Sequence, residues 1–317
     1  MRMNRLFKSQ DSVNERFKSY RDLDIEMDMK RDDLLHKEVS GNKLRKLKYN
    51  LLQAQELGQD TILTYGGAFS NHIAATAAAG KLLGIKVIGI IRGEELGADL
   101  NKTLAGNATL RQAHVDGMKF HFVTREKYRD KETDLFLEEM KVLFGNFYNI
   151  PEGGTNELAV KGTQEILTES DKENYDIICV AAGTGGTAAG IINSAAPHQK
   201  VMVFSALKGD FMRSEIEKYT HGKEFEVIDE IAFGGYAKSD DRLIDYMNIR
   251  FRESGIPLEP IYTAKMMYGI EQMVESSVIN GKTRILAIHT GGLQSITGYN
   301  KVLEKKRRLK ISYENQL

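Results

Sequence analysis

Tyr175-Asp176-Ile177-Ile178-Cys179-Val180-Ala181-Ala182-Gly183-Thr184-Gly185-Gly186-Thr187-Ala188-Ala189-Gly190 is the stretch on which the fold turns. Residues 175–182 form a short apolar run of strand length, a glycine loop follows at 183–187, and small residues then open a helix. Strand, glycine loop and helix together cradle a phosphate. Glycines let backbone N–H groups approach the oxygens, and the helix N-terminus adds a positive dipole end. Thr184 and Thr187 add hydroxyl donors. Gly183, Gly185 and Ala188 also fit the dinucleotide fingerprint, which wants an acid about 20 residues further on. That region reads Phe204-Ser205-Ala206-Leu207-Lys208 with Asp210 beyond, which disfavours a dinucleotide. The lysine of a P-loop is missing as well. A monophosphate, as on a phosphorylated cofactor, is the expected ligand; a tight turn without a ligand is the alternative. Cys179 lies inside the apolar run and reads as a core residue.

Outward from this unit, short β-rich runs alternate with helical stretches, which reads as α/β with mostly parallel sheets. Strands are expected near 23–29, 61–65, 86–91, 119–123, 200–207 and 284–289. Helices are expected over about 44–57, 70–83, 101–113, 131–143, 157–169, 241–253 and 265–278. Pro151-Glu152-Gly153-Gly154 marks a break at 148–155 between two β/α sets. Ligands of such sheets sit at the carboxyl ends of the strands.

Composition narrows the function classes. The 317 residues carry 44 Lys plus Arg against 44 Asp plus Glu, so no net field draws the chain to nucleic acid or anionic lipid. The basic run Lys305-Lys306-Arg307-Arg308 reads as a solvated helix end. A single cysteine permits no intrachain disulfide. Met1-Arg2-Met3-Asn4-Arg5-Leu6-Phe7 has basic residues but no apolar segment behind them, so no signal peptide is expected. No apolar run reaches the roughly 18 residues of a membrane span. A cytoplasmic protein is the expectation. No Cys/His cluster has metal-site spacing.

Two further segments carry chemistry. Ser40-Gly41-Asn42-Lys43-Leu44-Arg45-Lys46 opens the 44–57 helix, with Asn42 as the expected N-cap. Lys43 falls in the first turn, and Lys46 lies one turn on along the same face. A second cation and a positive helix end are both expected to lower the pKa of Lys43 toward the neutral amine that a Schiff base needs. A solvated basic turn is the alternative. Gly66-Gly67-Ala68-Phe69-Ser70-Asn71-His72 links a strand to a helix. Ser70 or Asn71 caps that helix, and its exposed N–H groups suit a carboxylate. A plain cap, with His72 as a packing residue, is the reading without a ligand.

These segments occur in order with Lys30-Arg31-Asp32-Asp33-Leu34-Leu35-His36, Ile261-Tyr262-Thr263-Ala264-Lys265 and His289-Thr290-Gly291-Gly292. Together, over about residues 22–300, they resemble the 1-aminocyclopropane-1-carboxylate deaminase / D-cysteine desulfhydrase family of pyridoxal-phosphate enzymes. The resemblance implies fold type II, the tryptophan-synthase β-like fold. It is made of two open, mostly parallel β/α domains with pyridoxal 5'-phosphate in the cleft between them. Residues 1–48 and 149–317 would form the larger cofactor domain and 49–148 the smaller one with the substrate loop. Lys43 matches the lysine that carries the cofactor, with Lys46 as the fallback. Asn71 matches the residue bonded to the ring hydroxyl. Ser70 matches the catalytic serine, with Asn71 and His72 in the loop holding the substrate carboxylate. Gly183, Thr184, Gly185, Gly186 and Thr187 match the phosphate cup. Tyr236 and Tyr262 match two active-site tyrosines, and Thr263 the partner of the pyridine nitrogen.

The deaminase branch has a glutamate at the position of Thr263, and an apolar residue at that of Thr290. A carboxylate keeps the pyridine nitrogen protonated, which suits opening of a cyclopropane. A hydroxyl supports a weaker electron sink, sufficient for expelling thiolate. The resemblance therefore implies β-elimination from a D-amino acid, D-cysteine first, with Lys43 or Ser70 as base and Tyr262 assisting. Cyclopropane deamination is the alternative, and a non-catalytic cofactor- or metabolite-binding protein the second. A homodimer is implied by resemblance alone. Family members commonly begin with a Pro-Thr-Pro entry, and this chain has no proline before Pro151, so the packing of its first 20 residues is left open.

Overall fold

Burial on both faces is what makes a strand read as an unbroken apolar run, and the stretch at 177–182 proves to be such a strand, inside a six-stranded sheet. The computed structural model describes residues 2–7, 12–207, 209, 211–231 and 233–316. Lys208 and Asp210, weighed above against a dinucleotide, lie outside them, as does Met1. In chain order the strands are β1 (Asn14–Tyr20), β2 (Ile25–Lys30), β3 (Thr61–Gly66), β4 (Lys86–Arg92), β5 (Lys119–Val123), β6 (Tyr148–Ile150), β7 (Ile177–Ala182), β8 (Lys200–Ser205), β9 (Glu226–Ile228) and β10 (Thr283–Ile288). They form two sheets, ordered β1-β2-β10-β7-β8-β9 and β5-β4-β3-β6. Every pairing is parallel except β1 with β2.

The larger sheet is covered on both faces, and the period-2 alternation of its strands sorts the side chains. Met27, Met29, Cys179, Met202, Phe204 and Ile285 face one core, with the Asp241–Ser254, Thr263–Glu275 and Ser295–Lys305 helices over it. Ile178, Val180, Val201, Val203 and Leu286 face the other, under the Gly186–Ser194 helix. Cys179 is fully buried, and burial pushes its thiol pKa up, so it is a core residue. In the smaller sheet Leu63, Ile88 and Ile90 face the Asp134–Phe144 helix. On another side Leu47, Leu51 and Ala54 of the Asn42–Glu56 helix pack with Ile62, Ala78 and Ile150. Fully burying a leucine is worth about 1.5–3 kcal/mol. Those contacts pin the helix that carries Lys43 and Lys46.

Three expectations are corrected. The helix expected over 101–113 breaks at Asn107, whose side chain caps a second helix, Ala108–Val115, by accepting from the Leu110 N–H at 2.9 Å. The helix expected over 157–169 stops at Thr163. Thr168 and Asp171 then build a capping box that starts a new one at Glu169. The cap of the Asn42–Glu56 helix is Gly41, not Asn42. The entry without proline is antiparallel edge strand β1, blunted by Glu15, Arg16 and Lys18 and by a register shift between Arg16 and Lys18.

Candidate active site

The carboxyl ends of β3 and β7 face a cleft of about 370 Å³. The sequence of each segment explains how its side chains arrive there. Gly41 has φ +63, and a Cβ on it would lie 2.1 Å from the Thr290 carbonyl oxygen. Only glycine fits, so the chain passes against the β10 loop and turns directly into the Asn42–Glu56 helix, projecting Lys43 and Lys46 into the cleft. The Asn42 N–H donates to the Thr290 carbonyl at 3.3 Å. Its side-chain amide donates to Thr187 Oγ1 at 2.8 Å. Lys43 Nζ donates to Asn42 Oδ1 at 2.9 Å.

Burial pushes the Lys43 amine down to about 8, and the charge of Glu259 opposes that shift. The expected cause, a neighbouring cation with a helix end, gives way to desolvation. It is Lys46 that feels its neighbour: burial first, then Lys43, depress its pKa well below the ordinary value. Lys46 Nζ donates to the Gly153 carbonyl and to Thr155 Oγ1, both at 2.7 Å, and lies 3.5 Å from Thr184 Oγ1. No carboxylate among the described residues pairs with it. A buried amine beside neutral acceptors and a glycine loop suits an anion.

That loop lines one end of the cleft. Gly185, at φ +77, is the left-handed residue that turns β7 into the Gly186–Ser194 helix. A Cβ on Gly183 would sit 2.9 Å from the Tyr262 hydroxyl and intrude on the cleft. Thr184 and Thr187 line it, with Thr184 Oγ1 2.6 Å from Thr155 Oγ1. Gly186 stands just behind, where a Cβ would meet Thr155 and the Lys46 stem.

On the opposite wall Ser70 caps the Asn71–Leu83 helix, accepting from the Ile73 N–H at 3.3 Å, and lines the cleft with Asn71 and His72. Asn71 Oδ1 accepts from Gln294 Nε2 at 2.8 Å. The His72 imidazole is buried, with Nε2 2.7 Å from Thr64 Oγ1. Because the Thr64 hydroxyl donates to the Ile150 carbonyl, Nε2 carries the proton. Burial, then Lys43 and Lys46, hold the ring well below its ordinary pKa, hence neutral. Its Nδ1 lone pair has no partner and repels a carboxylate. What this loop offers a carboxylate is the first N–H groups of the helix, at Asn71 and His72.

Tyr236, Tyr262 and Thr290 complete the wall. The two tyrosines meet edge to face, with ring centroids 6.1 Å apart. Burial raises the Tyr262 pKa well above the ordinary value, so it stays a proton donor. Thr263 is not brought to the wall. It is fully buried, and its Oγ1 accepts from the Glu259 N–H at 3.0 Å.

Glu259 is the residue that sequence reasoning missed. Fully buried, it caps the Thr263–Glu275 helix by accepting from the N–H groups of Ile261, Tyr262 and Thr263 at 2.6–2.8 Å. Burial pushes its pKa up to about 7 against those hydrogen bonds. The available signal was an acid just ahead of a helix start, followed by Pro260. Lys265, one turn into the same helix, is likewise buried and donates to the Gly235 carbonyl at 2.8 Å, beside Tyr236. Arg92, at the end of β4, also lines the cleft without having been singled out.

An amine near neutrality, a cradle for a monophosphate and a helix end for a carboxylate define a site for an aldehyde-bearing phosphate cofactor and an amino acid. The profile of the family described as "Pyridoxal-phosphate dependent enzyme" matches residues 18–291. The chain belongs to that family: it is a pyridoxal-phosphate-dependent enzyme. It is 31% identical over 301 residues to the Arabidopsis thaliana "Bifunctional D-cysteine desulfhydrase/1-aminocyclopropane-1-carboxylate deaminase, mitochondrial", covering 87% of this chain and 74% of the relative. A Thermotoga maritima relative with the provisional name 1-aminocyclopropane-1-carboxylate deaminase is 32% identical over 286 residues, 84% of this chain and 88% of its own. Within the family, then, the chain falls in the 1-aminocyclopropane-1-carboxylate deaminase / D-cysteine desulfhydrase group. A solved structure of an "ACC deaminase homologue" shares the fold with a TM-score of 0.76 at 24% identity, over 96% of this chain and 98% of that one. The fold is accordingly type II, and the second alternative, a non-catalytic binding protein, falls away. No helix among the described residues is long and apolar enough to cross a membrane.

Proposed function

We propose that this enzyme catalyses α,β-elimination from a D-amino acid, converting D-cysteine and water to pyruvate, hydrogen sulfide and ammonia. The observation that supports the reading is that the described residues lining the cleft offer no unpaired carboxylate. Its one acidic lining residue, Glu152, lies 3.4 Å from Lys131. The buried carboxylate beneath Thr263 is engaged by three backbone N–H groups. Among the described residues, a ring held there would meet no exposed carboxylate to keep its nitrogen protonated, which suits a reaction with a good leaving group.

Bound pyridoxal phosphate supplies an aldehyde and an electron-accepting ring. The chain supplies the rest. Lys46, Thr184, Thr187 and the N–H groups of Gly183, Gly185 and Gly186 hold the phosphate. Lys43 would hold the aldehyde end and Asn71 the ring hydroxyl, while Thr263, bonded to the Glu259 backbone, stands behind the cleft wall. Lys43 or Ser70 takes the α-proton. The helix end at Asn71 and His72 holds the substrate carboxylate, with Thr290 at the same wall. Tyr262, steadied by Tyr236, orients the side chain and protonates the leaving sulfur. Residues 49–148 form the smaller, substrate-loop domain, and 1–48 with 149–317 the larger. The working form is a cytoplasmic homodimer that acts on small amino acids.

A second reading, deamination of 1-aminocyclopropane-1-carboxylate to 2-oxobutyrate, is favoured by the names of the Thermotoga relative and the solved homologue. Incubating the cofactor-loaded enzyme separately with D-cysteine, L-cysteine and the cyclopropane, then identifying the keto acid, separates the two. Pyruvate with stoichiometric sulfide from D-cysteine, and no 2-oxobutyrate from the cyclopropane, is expected. 2-Oxobutyrate from the cyclopropane with no pyruvate or sulfide from D-cysteine overturns the elimination assignment.

A further inference from the structure

A second cavity, of about 440 Å³, opens beside the catalytic cleft and shares with it Gly67, Ala68, Phe69 and Arg92. Three arginines line it, Arg92, Arg125 and Arg129, against a single acid, Glu95. Glu95 is already taken by Arg125 at 2.6 Å. The one acid lining the catalytic cleft, Glu152, does not line this cavity and lies 3.4 Å from Lys131. No carboxylate among the described residues pairs with Arg92 or Arg129.

Arg92 is the last residue of β4, at the carboxyl end of a parallel strand, where ligands of open α/β sheets lie. Its guanidinium sits 5.7 Å from the centroid of the Tyr128 ring. Tyr128 is buried in the core of the smaller sheet with Tyr65 and Phe136, so it is a fixed platform. This cation–π contact uses none of the guanidinium N–H groups, which leaves them for a bidentate acceptor. The charge also reaches across the cleft, where it lowers the pKa of Tyr236 against the burial that raises it. Cysteine has one heavy atom beyond Cβ, and it leaves such an annex unused.

We propose that the annex is a subsite for an anionic group at the far end of the substrate's side chain, read by Arg92 with Arg125 and Arg129 behind it. The enzyme would then bind amino acids whose Cβ substituent ends in a carboxylate, sulfonate or phosphate in preference to neutral ones of the same shape. The proposal rests on the reading of the cleft as an amino-acid site, but not on elimination.

The test uses the cofactor-loaded enzyme and ligands that lack a leaving group. Glutamate and glutamine, each as both enantiomers, are titrated by calorimetry at low salt; the pair differs chiefly in charge. The acid of one enantiomer is expected to bind at least about tenfold tighter than its amide, as one well-placed ion pair provides. Arg92→Gln should bring that ratio to near one, and Arg92→Lys should restore part of it. A ratio near one in the unaltered enzyme, or a ratio that survives Arg92→Gln, overturns the proposal. Turnover of β-chloro-D-alanine to pyruvate, run in parallel, reports on elimination alone. Its absence would count against the elimination reading and leave the binding ratio as it stands.

Discussion

Replacing Lys43 by alanine is expected to lower kcat/KM by at least about three orders of magnitude, the scale on which removal of a covalent or general-base group is felt. It should also abolish the visible absorbance of lysine-linked cofactor. Lys43 stands one residue into a helix whose start is dictated by Gly41, and its amine has a single neutral partner, Asn42 Oδ1. Burial has brought that amine to about 8, so near neutral pH an appreciable fraction is the nucleophilic free base. A buried lysine with a depressed pKa costs stability whenever the pH is below its unfolded value, because the folded state resists the charged form. Lys43→Ala removes that cost. The variant should therefore melt at the same temperature as the parent, or higher, while losing activity. An inactive variant that also unfolds early would indicate a structural role. A variant that retains activity would rule out the assignment.

Gly41→Ala should produce a large loss of stability. A contrast with Gly58 shows why. Both glycines have positive φ, +63 and +66, so both impose the left-handed penalty of about 1–2 kcal/mol on alanine. A Cβ on Gly58 meets nothing within 4 Å. A Cβ on Gly41 would lie 2.1 Å from the Thr290 carbonyl oxygen and 2.7 Å from the Gly291 nitrogen, which are backbone atoms that no rotamer change can move. Relief requires separating the Lys43 helix from the β10 loop and breaking the Asn42 to Thr290 hydrogen bond. The expected cost is about 4 kcal/mol or more, which lowers the midpoint of thermal unfolding by roughly 10 °C in a chain of this size. Gly58→Ala should cost about 1–2 kcal/mol. Thermal denaturation of the two proteins side by side checks this. Equal losses would show that the close approach at Thr290 is not part of the folded state.

What was legible in the sequence follows from what determines each element. Strand β7, its glycine loop and the helix after it could be read because burial on both faces leaves an apolar run and a left-handed turn needs glycine. The serine segment could be read because cap chemistry is local. The lysine segment, whose sequence points to Asn42 as its cap, in fact starts at a left-handed Gly41 whose need comes from the approach of Thr290. Strand β1 could not, since Glu15, Arg16 and Lys18 belong to an edge defined only by its pairing with β2. The break at Asn107 was written in a capping residue that a continuous periodic pattern obscured. Glu259 acts through three N–H groups that a tertiary turn gathers around it. Thr263, expected at the cofactor ring, has its hydroxyl drawn into that same turn. Arg92 enters the cleft because the end of β4 lies beside the loop that follows β3, a neighbour relation with no trace in either segment alone.

The central claim is that Lys43, and not Lys46 or Lys265, bears the cofactor. All three amines are pushed below the ordinary lysine value by burial. They differ in surroundings. Lys46 is held by Gly153 and Thr155, and Lys265 by Gly235. Lys43 alone of the three faces the cleft with only Asn42 to release. The most direct measurement is to load the enzyme with pyridoxal phosphate, fix the linkage with borohydride, digest, and locate the added mass by tandem mass spectrometry. The label is predicted on Lys43. A label on Lys46 or Lys265 would contradict the account.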